Sequence, residues 1–174
     1  MVSPQVIARR QTLLRRIRWL LGLFMAALVV AGLTAVPLEW ELDQAARVLG
    51  IAPDAPPDDY TGLRYWIAMV RSGVHDTFAR YPFMAYGTDW LAFAHVIIAV
   101  AFIGPWRDPV RNRWVVTFGL IACVAVIPVA LVFGPLRGIP FTWGLIDCSF
   151  GVVGFVPLWL VRRYTDELAS LGPG

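Results

Sequence analysis

The sequence contains no lysine: all 15 of its basic residues are arginine. It has only two histidines and two cysteines, and only 16% of its residues are charged, against about 25% in an ordinary soluble domain. So little charge cannot cover a soluble surface, and most of the surface must face lipid. Cys123 and Cys148 both lie inside apolar runs, with no CxxC or Cys/His spacing to suggest a metal knuckle or a disulfide framework. They read as small buried hydrophobes. At 1.5 Å per helical residue, their depths along their helices differ by roughly 7 Å, too far for a bridge. No P-loop, HExxH, GxSxG or Rossmann signature occurs, so no motif names a reaction or a cofactor. The net charge of +3 is not a nucleic-acid signal, because the arginines gather at the edges of apolar runs rather than in one patch.

What is present is apolar sequence: 58% of residues are hydrophobic, and the mean hydropathy is +0.64. Four apolar runs read as membrane spans, at about residues 19–36, 88–104, 114–133 and 143–161; the second is short for a bilayer, so its helix is expected to begin a turn earlier or to lean on its neighbours. The first follows a tail holding Arg9, Arg10, Arg15, Arg16 and Arg18. A charged stretch before an apolar core also describes a signal peptide, but a signal core is about 7–15 residues and this one is longer. It reads as a retained helix. The second run has Thr88 or Asp89 as its expected N-cap and Gly104-Pro105 as its stop. The third is expected to open on Asp108-Pro109, a cap followed by proline at the first helical position, and to close at Gly134-Pro135. Arg111 and Arg113 then sit in its first turn, where positive charge opposes the helix dipole; the preference of cytoplasmic loops for arginine accounts for them.

Residues 38–86 form the one large hydrophilic connection. Leu38 to Leu49 reads as a short helix, with Glu39, Glu41 and Asp43 early, Arg47 late and Gly50 just past its end. An acidic, proline-rich linker follows. Thr61 is then expected to cap a second helix, with Leu63, Ile67, Val70, Val74 and Phe78 as its apolar stripe. Its charges forbid a span, so it either lies on the bilayer surface or covers the outer ends of the bundle.

The side holding the N-terminal tail, the 104–113 turn and the C-terminal tail carries ten arginines; the other carries five, and eight of the 12 acids lie in residues 38–89. Both termini are therefore expected in the cytoplasm and the long connection outside. The expected fold is all-α, one domain over residues 1–174. It is a polytopic membrane protein with four transmembrane helices in an up-down bundle and an extracytoplasmic helical insertion between the first two. Trp19, Trp90, Trp114, Trp143 and Trp159 fall near span ends, as an interfacial aromatic belt would.

Ionisable groups inside apolar spans are costly and face protein or mark function. His95 lies roughly 9 Å in from the outer end of its span and Asp147 roughly 6 Å in. The near match makes a His–Asp pair across the bundle a candidate. Arg137, in the outer loop, is a second candidate partner for Asp147. His75, beside Arg71 on the second hydrophilic helix, approaches His95 if that helix covers the bundle. Gly151 and Gly154, on the face of Asp147, would allow close backbone approach. The favoured role of these groups is a structural polar pair. A ligand or proton-handling pocket is the next reading, and a metal or haem site using His75, His95, Asp147 and Asp89 the last, since metals want three or four ligands. The expected role is that of an accessory or ligand- or lipid-binding membrane subunit, in contact with the bilayer and with a membrane partner or further copies of itself, and with no nucleic acid. The alternative is a membrane enzyme or oligomeric transporter working through His95 and Asp147.

Overall fold

In the computed structural model, which describes residues 3–172, the regular structure is entirely helical, with no strand among the described residues. Seven α-helices follow one another: α1 (Pro4–Thr34), α2 (Leu38–Val48), α3 (Gly62–Arg80), α4 (Tyr86–Ala101), α5 (Ile103–Arg107), α6 (Arg113–Leu136) and α7 (Phe141–Ser170). Short 3-10 turns at Pro57–Asp59 and Pro82–Ala85 precede α3 and α4. Four helical stretches are long and apolar enough to cross a membrane: α1, the run Pro82–Arg107, α6 and α7. Helices suit that task because each backbone N–H and C=O finds its partner within the segment.

The boundaries differ from the sequence expectation in instructive ways. Helix α1 runs back through the whole arginine-rich tail, because arginine is a good helix former and Leu13, Ile17 and Leu21, four residues apart, are fully buried along one line. Neither Thr88 nor Asp89 caps α4. The Pro82–Ala85 turn feeds straight into the helix, which places both residues inside its first turn, and the Thr88 hydroxyl donates to the Ala85 carbonyl at 2.7 Å. Gly104-Pro105 does not end the run, since α5 includes both; near a helix start, proline's missing N–H leaves no hydrogen bond unmade. Asp108-Pro109 does not open α6. Asp108 is extended, its carboxylate accepts the Arg111 N–H at 3.0 Å, and Asn112 precedes the helix. The Asn112 amide donates to the carbonyls of Gly104 (3.2 Å) and Asp108 (2.9 Å), tying the turn together. Helix α7 continues nine residues' worth of polar sequence beyond Val161, so that Asp166 and Glu167 face arginines.

The chain divides into two compact units, Leu28–Ile97 and the residues before and after it. In the second of these, α6 and α7 pack antiparallel: Arg113 at the start of α6 pairs with Asp166 near the end of α7 at 2.7 Å, and Arg162 reaches Thr117. Glycine sets the spacing. A Cβ on Gly151 would strike the Cys123 carbonyl oxygen, and one on Gly154 would come within 3.0 Å of the Cys123 sulfur. Gly119 leaves room for Leu158 and for Phe102, whose ring stacks tilted on Phe24 with centroids 4.8 Å apart. Cys123 and Cys148 are free thiols.

In the Leu28–Ile97 unit, α2 and α3 form a helical hairpin. Gly50 ends α2 in the left-handed region (φ 66°), with the Ile51 N–H donating to the Ala46 carbonyl at 2.9 Å and the Gly50 N–H to Arg47 at 3.1 Å, the paired bonds of a Schellman cap. Leu42, Ala46, Ile51, Ile67 and Ala68 are its buried apolar residues; Leu63, expected in the stripe, is exposed.

Substituting Gly151 by alanine should lower the thermal midpoint in detergent by several degrees, because overpacking against a backbone carbonyl costs about 1–3 kcal/mol. Gly22, with nothing within 4 Å of its notional Cβ, should accept alanine without loss. Equal effects at the two sites would contradict the packing described.

Candidate functional site

A polar constellation of four side chains lies between α2 and α3. Glu39 and Asp43 are four residues apart on α2, as are Arg71 and His75 on α3, so each pair projects from one face of its helix. The hairpin sets the two faces together. The Arg71 Nε donates to Asp43 Oδ1 at 2.6 Å, and His75 Nε2 approaches the same oxygen at 3.1 Å. His75 Nδ1 lies 3.0 Å from Glu39 Oε1. Both imidazole nitrogens thus face carboxylate oxygens. Arg71 uses a second nitrogen on the Pro53 carbonyl at 2.9 Å, which ties the proline-rich linker to α3. The Arg71 hydrogen bond, and after it that of His75, holds the Asp43 carboxyl below the ordinary carboxylate value.

Beside this cluster the linker and α3 enclose a cleft of about 450 Å³, within the size range of small-molecule sites. Arg71 and His75 form part of its wall, with Asp54, Ser72 and Asp76 completing the polar lining and Ile51, Ala68 and the linker prolines within the apolar part. Arg64 braces the far side of the linker: it donates to the Gly50 carbonyl at 2.6 Å and stacks over Tyr60, whose hydroxyl accepts the Ala52 N–H.

The residues singled out in the spans are placed as follows. His95 is half-buried on α4, and its Nδ1 donates to the Leu91 carbonyl at 2.8 Å, one helical turn back on its own helix. Its Cβ lies where a Cβ on Gly32 would be only 2.7 Å away, so α1 and α4 approach closely there. No hydrogen bond joins His95 to His75, which uses both its nitrogens on α2. Asp147 is half-buried on α7 and forms no hydrogen bond or ion pair among the described residues. Arg137 follows α6, where its backbone N–H donates to the Phe133 and Gly134 carbonyls; its side chain forms no ion pair with Asp147. Asp89 borders a shallow hollow with Tyr86, Trp90 and Phe93. Among the described residues, no three of the His, Cys, Asp and Glu side chains converge as a metal site would require.

The sequence places His75 and Arg71 on one polar face and offers no local signal that joins them to Glu39 and Asp43. It shows two opposite-sign pairs at four-residue spacing on two helices. Only the register of the hairpin brings them into contact.

Comparison with models of protein families, with curated proteins and with solved structures finds no match to this chain.

Because the folded-state carboxyl of Asp43 is depressed, its contribution to stability is present above its ordinary value of 3.8 and is lost as the pH falls through the lowered one. Wild-type protein should therefore lose hairpin stability progressively below about pH 4. Asp43→Asn should be less stable near neutrality by about 1 kcal/mol or less, as for a partly exposed ion pair, and should show a flatter acid limb. Parallel acid limbs in helix melts from pH 2 to 7 would remove Asp43 from this role.

Proposed function

We propose that the chain is a multi-pass integral membrane protein serving as an accessory, ligand-binding subunit, with the α2–α3 hairpin as its recognition head. The observation that carries this reading is the hairpin itself: a polar cleft whose shape is fixed by charges already paired with one another, next to helices built for lipid. Preorganised charge of this kind favours binding, because little side-chain freedom is lost when a ligand arrives.

In this reading the four long helices cross the bilayer up and down, the arginine-rich ends lie in the cytoplasm, and the hairpin lies outside. Support comes from the arginine distribution and from side chains such as Phe118, Ile121, Val129 and Val132, which α6 exposes. In lipid such a surface needs no further cover.

A second reading, a membrane enzyme or oligomeric transporter using His95 and Asp147, draws on one specific observation. Asp147 is a carboxylate in an apolar span with no partner among the described residues, and such groups tend to mark proton or substrate paths.

Two measurements test these statements. Reporter fusions at residue 55 and after the C-terminus should report opposite sides of the membrane; agreement between them would refute the four-span topology. For function, native mass spectrometry of the purified chain should detect a co-purifying small molecule. Its loss in Ser72→Trp, which fills the cleft, would favour the recognition head. Its retention there and loss in Asp147→Ala would favour the second reading.

A further inference from the structure

At the arginine-rich end of the molecule three arginines are paired with carboxylates. Arg9 pairs with Glu167 at 2.6 Å, Arg113 with Asp166 at 2.7 Å, and Arg162 with Asp166 at 3.5 Å. Four arginines at this end have no carboxylate among the described residues and line one cleft of about 560 Å³: Arg10 and Arg18 from α1, Arg107 from α5, and Arg111 from the turn before α6. Arg10 donates through one nitrogen to the Gly172 carbonyl at 2.6 Å, and Arg18 lies over the Trp106 ring at 5.7 Å. Both contacts hold a guanidinium in place without cancelling its charge. The one acid in the cleft, Asp108, accepts the backbone N–H of Arg111. Against that single carboxylate the four guanidinium groups leave the hollow with a net positive charge, which a bound anion would offset.

We propose that this cleft binds a phosphate group, supplied by the headgroup of an anionic phospholipid. Guanidinium presents paired N–H donors that match phosphate oxygens, and its charge persists at any pH the protein meets. The inner wall of the same cleft is apolar, formed by Leu14 and Leu168, which suits the glycerol and first acyl carbons of a lipid better than a free ion. Basic pockets between membrane helices on the cytoplasmic side are where such headgroups bind. The proposal rests on the membrane reading given above.

The test uses the full chain purified in dodecyl maltoside, titrated by native mass spectrometry with dioleoyl phosphatidylglycerol, dioleoyl phosphatidylcholine and glycerol 3-phosphate. Phosphatidylglycerol should bind in preference to phosphatidylcholine, and R107Q/R111Q should weaken it about tenfold or more. R15Q/R16Q removes the same charge from the same end outside the cleft and should leave binding unchanged. R107K/R111K, which keeps the charge, should bind between these limits and shows that the glutamine variant is not merely misfolded. Glycerol 3-phosphate displacing the lipid at equal concentration would keep the phosphate site and assign it a soluble occupant. Equal binding of the two lipids, or equal loss in both glutamine variants, would overturn the proposal. Recovery of wild-type protein in the membrane fraction of the same preparation scores the membrane reading separately.

Discussion

A peptide group in an apolar medium must find its hydrogen-bond partner within the chain, because no water is there to supply one. Four helices of this protein are long and apolar enough to meet that constraint. Its four long helices satisfy their backbones internally, and only 11–22% of the most apolar window of each is buried against the rest of the protein. A water-soluble protein with so little of its apolar surface covered would aggregate. Facing lipid, the same surface is matched to its solvent. The scarcity of charge fits such a surface.

Lipid tails are as apolar as leucine, so burial does little to bring such helices together, and close contact must supply the attraction. Glycine provides it where helices touch. Gly151 and Gly154 bring α7 onto the α6 backbone at Cys123, Gly119 admits Leu158 and Phe102, and Gly32 lets α1 approach α4 at His95. Paired polar side chains gather in the parts outside the apolar stretches. One is the α2–α3 hairpin, where Arg71 pairs with Asp43 and His75 lies against Glu39 and Asp43. The other is the arginine-rich end, where three arginines are paired with carboxylates and four others line one cleft.

Much of this was legible in the sequence. The helices at 38–49 and 61–80, the terminating role of Gly50, and the close approach at Gly151 and Gly154 followed from local rules about dipoles, left-handed caps and small residues. Rules for proline and capping misled at Asp108-Pro109 and Gly104-Pro105. There the Asn112 amide, bonding back eight residues to Gly104, decides where helices begin and end, and no local propensity encodes that bond. The pairing of His75 with Glu39 and Asp43 was hidden for the same reason, since the partners lie more than 30 residues apart. Depth along a helix placed His95 and Asp147 at similar levels. Depth says nothing of where a side chain turns, and His95 turns to its own helix.

The central claim is that the apolar surface of these four helices is lipid-facing. It is tested most directly by alkaline carbonate extraction of membranes from cells producing the full chain. The account predicts that the protein stays in the pellet and is released only by detergent. Its appearance in the carbonate supernatant would contradict the claim.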